Sequence, residues 1–280
     1  MRKKFIVVLI TMTLAVILLS GCNNVSKNIL MEEKNLFAFN SVYVATSSSK
    51  IEFVASNHYG LEIFVPESFN PEWDVTNGQL NIYAKTRGSF FVPNITFSKS
   101  YVKVYYPAGT VFNDITLKAS SGAIELPQVS VSDLDVSASS GTINASVKNC
   151  DAISATTSSG SVTLACSGDL VTALTVNTSS GSIRADGTAW RDVMTKTQSG
   201  ATEISGELFG DTYVKSSSGA VILNVNGDPS QYGYSLTPSS GSIHWNGIKM
   251  GKPARSTGSF DNNIVVDTSS GSIRVEFSKP

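Results

Sequence analysis

One short phrase, Ser179-Ser180-Gly181-Ser182-Ile183, returns in near copies down the last two thirds of the chain and limits its fold more than any other feature. Copies stand at Ser121-Gly122-Ala123-Ile124, Ser140-Gly141-Thr142-Ile143, Ser159-Gly160-Ser161-Val162, Ser199-Gly200, Ser218-Gly219-Ala220-Val221, Ser240-Gly241-Ser242-Ile243 and Ser270-Gly271-Ser272-Ile273. Their glycines are 19, 19, 21, 19, 19, 22 and 30 residues apart. A period near 20 in so regular a series marks a stacked repeat array.

Counting from each glycine, four columns are nearly all apolar. Seven before it stand Ile115, Leu134, Ile153, Leu174, Val193, Thr212, Tyr234 and Ile264; five before it, Leu117, Val136, Ala155, Val176, Thr195, Val214, Leu236 and Val266. Two after it stand Ile124, Ile143, Val162, Ile183, Thr202, Val221, Ile243 and Ile273; four after it, Leu126, Ala145, Leu164, Ala185, Ile204, Leu223, Trp245 and Val275. A spacing of two turns one face of a strand inward. The two inward sets are separated by an odd step, so the chain must bend at Ser-Ser-Gly to keep both inside. Glycine is expected there for a backbone conformation that side chains resist, with serines bonding to nearby backbone at the corner. Antiparallel hairpins side by side and coils stacked in parallel both remain, but only a parallel stack sets each residue on its own counterpart about 4.8 Å away. The fold expected is all-β, a right-handed parallel β-solenoid (β-helix) of 19–22-residue coils.

The N-terminus reads differently. Arg2, Lys3 and Lys4 precede an uncharged run from Phe5 to Leu19, and Leu19-Ser20-Gly21-Cys22 follows. That run is short of the roughly 20 residues of a membrane-spanning helix. The basic, apolar, small-residue order is that of an export signal, and its last four residues resemble the bacterial lipobox. Residues 1–21 are therefore expected to be a lipoprotein signal peptide, with the mature chain starting at an acylated Cys22 and held outside the cytoplasm on the cell membrane. The mature part has 18 basic residues against 22 acidic, a net charge of −4. With no basic run, neither nucleic acid nor anionic lipid is expected as the main partner. Cys150 and Cys166 fall on adjacent coils, as a disulfide or as two buried thiols.

Residues 22–40 are mostly polar and read as a tether, and residues 41–280 as the repeat domain. Within it, 41–110 is an irregular, aromatic-rich cap and 111–280 the regular coils. Val42, Val44 and Thr46, then Ser47-Ser48-Ser49, then Ile51 and Phe53 form a copy with Ser49 in the glycine position. Trp73, Val75, Thr76-Asn77-Gly78, Leu80 and Ile82 read as a second degenerate copy.

These phrases, preceded by an extended segment ending Tyr105-Tyr106-Pro107-Ala108-Gly109, resemble the bacterial DUF4097 family, adhesin-like and related to LiaG-like proteins. The likeness covers roughly residues 41–280. It implies a β-strand repeat domain displayed at the cell envelope without an established catalytic activity. The weak turn at Ser199-Gly200-Ala201-Thr202 and the final 30-residue gap depart from the plain pattern.

Chemistry-bearing constellations are sparse. The histidines, His58 and His244, are far apart, and H-E-x-x-H, Cys-x-x-Cys and G-x-S-x-G are all absent. Asp114, Asp133, Asp192 and Asp211 share the position eight before the glycine, but the two intervening coils have no acid there. Turn-starting aspartates explain them better than a calcium ladder. No metal or cofactor is expected. The long interruption from Ile243 to Ser269 carries Trp245, Lys249, Lys252 and Arg255, which could meet an anionic glycan; alternatively, Trp245 continues its inward column. The expectation is a non-enzymatic envelope lipoprotein that binds a cell-wall polymer or envelope protein, or serves a structural role. Its rivals are an accessory or sensory component of an envelope stress response and a polysaccharide-active β-helix enzyme.

Overall fold

The structure, a computed structural model, describes residues 28–85 and 99–278. The expected signal peptide and the lipidation site Cys22 lie outside the described residues. The N-terminal third carries β1 (Asn28–Lys34), β2 (Ser41–Thr46), β3 (Lys50–Ser56), β4 (Gly60–Pro66), β5 (Glu72–Thr76), β6 (Gln79–Ala84) and β7 (Tyr101–Pro107). The regular coils carry β8 (Val111–Ala119), β9 (Ile124–Ala138), β10 (Ile143–Lys148), β11 (Ala152–Thr157), β12 (Val162–Ser167), β13 (Ala173–Thr178), β14 (Ile183–Ser199), β15 (Thr202–Ser218) and β16 (Val221–Asn226). The chain ends in β17 (Tyr232–Ser240), β18 (Ile243–Trp245), β19 (Ile248–Met250), β20 (Ala254–Arg255), β21 (Asn262–Ser270) and β22 (Ile273–Ser278). The fold is all-β; helix among the described residues is confined to the 3-10 turns Glu67–Phe69 and Pro229–Gln231.

The columns stack in register. Ile153 pairs with Leu134 on one side and Leu174 on the other, and Ile143 pairs with Ile124 and Val162, always in parallel. The inward positions are almost fully buried in one continuous apolar core, and burying each Ile, Leu or Val side chain contributes about 1.5–3 kcal/mol.

The order of the layers departs from chain order at both ends. On the face before the glycine the stack runs β6, β2, β8, β9, β11, β13, β14, β15, β21, β17. The chain thus enters in the second layer, steps out to the first, and returns to the third. At the other end it skips a layer, builds the outermost coil with β17, and comes back with β21 to fill the gap. The face after the glycine repeats the exchange, since β22 lies between β16 and β18. Antiparallel strands close the stack: β5 on β6 and β1 on β4 at one end, β20 on β17 and β19 on β18 at the other.

Two expectations for the cap region change. Leu80 and Ile82 do not follow a repeat corner. They belong to a hairpin with β5, turned by Asn77 (φ 53°) and Gly78 (φ 76°), and stack on Val42 and Val44 in the columns before the glycine. Within the tether expected over 22–40, Asn28–Lys34 is a strand, because Ile29 and Met31 pack against the core.

At five of the eight corners the glycine has another cause than the one expected, whereas Gly200 (φ 150°), Gly219 (φ 150°) and Gly241 (φ 116°) do take a positive φ. Gly122, Gly141, Gly160, Gly181 and Gly271 have no positive φ. A Cβ on any of them would instead lie far inside van der Waals contact with the carbonyl oxygen of the corner residue in the next layer, Ser49 beneath Gly122 and Gly141 beneath Gly160. Close backbone stacking excludes a side chain there. The serines bond across layers through their main chain, Ser140 N donating to Ser120 O (2.8 Å) and Ser159 N to Ser139 O (2.9 Å). The hydroxyl column lies three residues before the glycine. Thr178 Oγ1 accepts from Gly181 N (3.0 Å) and donates to Gly160 O (3.3 Å), and Thr157 does the same one coil earlier.

Candidate functional site

The regular surface breaks where the cap region meets the coils. β3 pairs with β7 along its whole length but with β9 only at Ile51 and Glu52. The cause lies in β9. Pro127 has no N–H for a ladder bond, and one extra residue between Leu126 and Val129 makes a bulge against Ala145 and Val147 of β10. β9 bends away, and a cleft of about 400 Å³ opens between the strands.

Glu52, Glu125, Asn144, Ser146 and Thr163 line this cleft on its polar side and Phe53 and Val54 on its apolar side. A second depression of about 580 Å³ shares Ser146 and Ala165 with it and continues to Asp186 and Thr188. Together they form a shallow trough across successive layers, with small side chains where a longer residue would fill it. Gln128 Nε2 donates to Ser167 Oγ at 2.9 Å beside it. Lys50 Nζ lies 2.5 Å from both Glu52 and Glu125, and these carboxylates raise its pKa, Glu125 most. The pair of acids therefore carries its own counter-charge.

A second polar cluster lies on the outward face of β4 and β7. Tyr101 and Tyr105 both donate their phenolic O–H to Glu62, the latter at 2.7 Å, and Lys103 Nζ stands 3.7 Å away. The Tyr101 bond above all holds the Glu62 carboxyl below its usual range. That same bond pushes Tyr101 up to about 12, and burial, then the Glu62 bond, pushes Tyr105 to about 12. Groups tuned so far from neutral pH act as hydrogen-bonding fixtures, not as proton carriers.

The residues singled out in the sequence fall apart in space. Trp245 lies in the core at 9% exposure, its ring 4.3 Å from Tyr234 and 4.9 Å from Phe277. Lys249, Lys252 and Arg255 are exposed, and the interruption they occupy is partly folded into β19 and β20. His58 Nδ1 lies 2.9 Å from both Ser56 Oγ and Asn57 Oδ1, its ring stacked on Tyr105, and His244 pairs with Lys249 across a strand. Cys150 and Cys166 are free, buried thiols; burial pushes Cys150 up to about 12 and raises Cys166. Among the described residues no group of three or more His, Cys, Asp or Glu could hold a metal ion. The trough was missed because its cause, one extra residue beside Pro127, leaves the columns intact on either side.

No curated protein matches the chain. Among solved structures, a "putative adhesin" of Bacteroides fragilis is 16% identical with a TM-score of 0.51, over 89% of this chain and 97% of that one. A "putative adhesin" of Parabacteroides distasonis is 15% identical with a TM-score of 0.46, over 90% and 98%. A "putative lipid binding protein" of the same species is 15% identical with a TM-score of 0.41, over 92% and 96%. The first of these shares the fold. The Toastrack DUF4097 family model matches residues 39–276, nearly all of the layered strands and every corner glycine, and the chain belongs to that family.

Proposed function

We propose that this protein is a non-enzymatic lipoprotein of the cell envelope, held outside the cytoplasm by an acylated Cys22. Its right-handed parallel solenoid of 19–22-residue coils carries an adhesin-like binding face for a cell-wall polymer. The trough beside Pro127 is the observation that carries this reading. Its floor is fixed by strand registers on both sides, and it combines amide, hydroxyl and carboxylate groups with accessible apolar surface at Val54 and Pro127. Such a mixture suits a neutral, hydroxyl-rich saccharide chain, whose hydroxyls need donors and acceptors and whose ring faces need apolar surface. The adhesin name of the Bacteroides fragilis neighbour agrees with an interaction role.

The test is a steric block. Ala165 is exposed on the trough floor, so Ala165→Trp fills it without disturbing the core. Co-sedimentation with purified cell-wall polymers should fall at least tenfold for this variant, while replacement of Lys249, Lys252 and Arg255 by alanine should leave binding within twofold. The opposite pattern transfers the binding face to the basic distal loop. Release of soluble saccharides during incubation favours the polysaccharide-active alternative. A stress response that persists in cells with a trough-blocked protein but fails without the protein favours the sensory one.

A further inference from the structure

Phe37 is the most exposed large apolar side chain among the described residues, at 86%, and Leu30 is 57% exposed. Both belong to the first ten described residues. Phe37 is forced outward by its neighbours: Leu36 packs against the core and donates its N–H to Tyr59 O at 2.9 Å, and Phe39 is buried. Leu30 alternates with the inward Ile29 and Met31 and pairs with Phe64, whose ring is 5.5 Å from that of Tyr101. The rim of the outermost strand at the N-terminal end thus carries two apolar points, Leu30 with Phe64 and Tyr101, and Phe37 beyond the end of β1, with the Glu32–Lys34 ion pair between them. Five residues, 23–27, separate Cys22 from Asn28. Fully extended, that link spans about 20 Å at most.

We propose that this rim rests on the lipid surface, with Leu30 and Phe37 seated among the headgroups and the β17–β20 end standing farthest from the membrane. The inference depends on the acylation of Cys22 proposed above. The short link keeps β1 at the bilayer, and exposed aliphatic and aromatic side chains there are matched to the interfacial region, where Phe and Tyr rings settle. Ten stacked strands at about 4.8 Å place the far end some 45 Å away, so the solenoid becomes a spacer that lifts its distal cap off the lipid.

The test uses the full-length acylated protein in phosphatidylcholine–phosphatidylglycerol vesicles, with an environment-sensitive fluorophore on Ala38→Cys or, distally, on Lys249→Cys. Both positions are exposed, and the native Cys150 and Cys166 are buried. Headgroup-region spin-labelled lipid should quench the label at 38 at least threefold more than the one at 249. Adding Leu30→Asp and Phe37→Asp should erase the difference while the protein stays vesicle-bound. Equal quenching at both positions, or quenching at 38 that survives the two substitutions, overturns the inference. A label at 38 shielded from aqueous iodide but untouched by the spin-labelled lipid also overturns it, and points to a second copy on the rim. An N-terminal peptide without acyl mass, with protein in the soluble fraction, overturns the anchor itself and is distinguishable from all of these.

Discussion

At the residue scale, the corner glycines and their threonines make the sharpest claims. Gly160 lacks a positive φ, so any cost of Gly160→Ala comes from the Cβ meeting the Gly141 carbonyl, a backbone atom held by two layers. Overpacking of this kind costs about 1–3 kcal/mol, and urea denaturation should read it, while Gly251→Ala, with open space around it, should stay within about 0.5 kcal/mol of the parent. The buried hydroxyls divide into two classes. Thr178 Oγ1 satisfies Gly181 N, so Thr178→Val leaves a buried donor alone and should destabilise by about 1–3 kcal/mol. Thr202 and Thr212 bury hydroxyls without a hydrogen-bond partner in columns that are otherwise mostly aliphatic. The same Thr→Val exchange there should be neutral or stabilising by about 1 kcal/mol. The Glu62 cluster sets a pH window by its signs. A lowered carboxyl pKa contributes stability above the usual value of 4.5 that is lost as pH falls through the folded value. Raised phenol pKa values contribute stability below 10 that is lost as pH rises towards about 12. Glu62→Gln should therefore move tyrosinate formation at Tyr101 down towards 10, followed by ultraviolet absorbance.

At the scale of elements, the columns were legible because a parallel stack demands like on like, and Ile153 on Leu134 and Leu174 is what periodicity alone predicts. The order of the layers was not legible. Ile273 and Ile243 are equally good neighbours for Val221, so column identity says nothing about which coil comes next; the 30-residue interval hid a return, not a longer coil. β1 escaped for a related reason: with Ile29 and Met31 its only inward residues backed by the core, an edge strand looks like polar tether. The exchanged order has a consequence that a sequential solenoid lacks. A terminal coil in sequence normally peels off without harm, but β21 and β22 are wedged between the earlier coils and β17 and β18. Truncation after Gly251 should therefore strip hydrogen-exchange protection from Tyr232–Trp245 as well, while residues 124–178 keep theirs. Retained protection over β17 would show that the outermost coil stands without the inserted one.

At the scale of the whole molecule, a stack of parallel strands has two ends, each a row of unpaired backbone groups able to template another chain. Here both ends are closed by antiparallel strands: β1 and β5 at one, β19 and β20 at the other. The closure differs in kind between them. β1 carries Glu32, Glu33 and Lys34 along its exposed edge, whereas the distal closure rests on two strands of three and two residues over a core rich in aromatic rings, where the Phe277 ring lies 5.3 Å from Tyr232 and 4.9 Å from Trp245, and Trp245 lies 4.3 Å from Tyr234. Short antiparallel pieces cap an end without offering a long template, which keeps a solenoid from joining end to end. Replacing residues 246–258 by a flexible Gly-Ser linker should uncover β17 and β18 while leaving every regular coil in place. That variant should associate in a concentration-dependent way by sedimentation velocity, with its far-ultraviolet circular dichroism unchanged. Placing a lysine at an inward position of the uncovered end, by Leu236→Lys, should not rescue it, because the Leu236 side chain points into the core and its strand still pairs with β21 at Val266; Thr237→Lys, on the outward side of the same strand, should. A linker variant that stays monomeric at high concentration would assign the distal strands a role other than end protection.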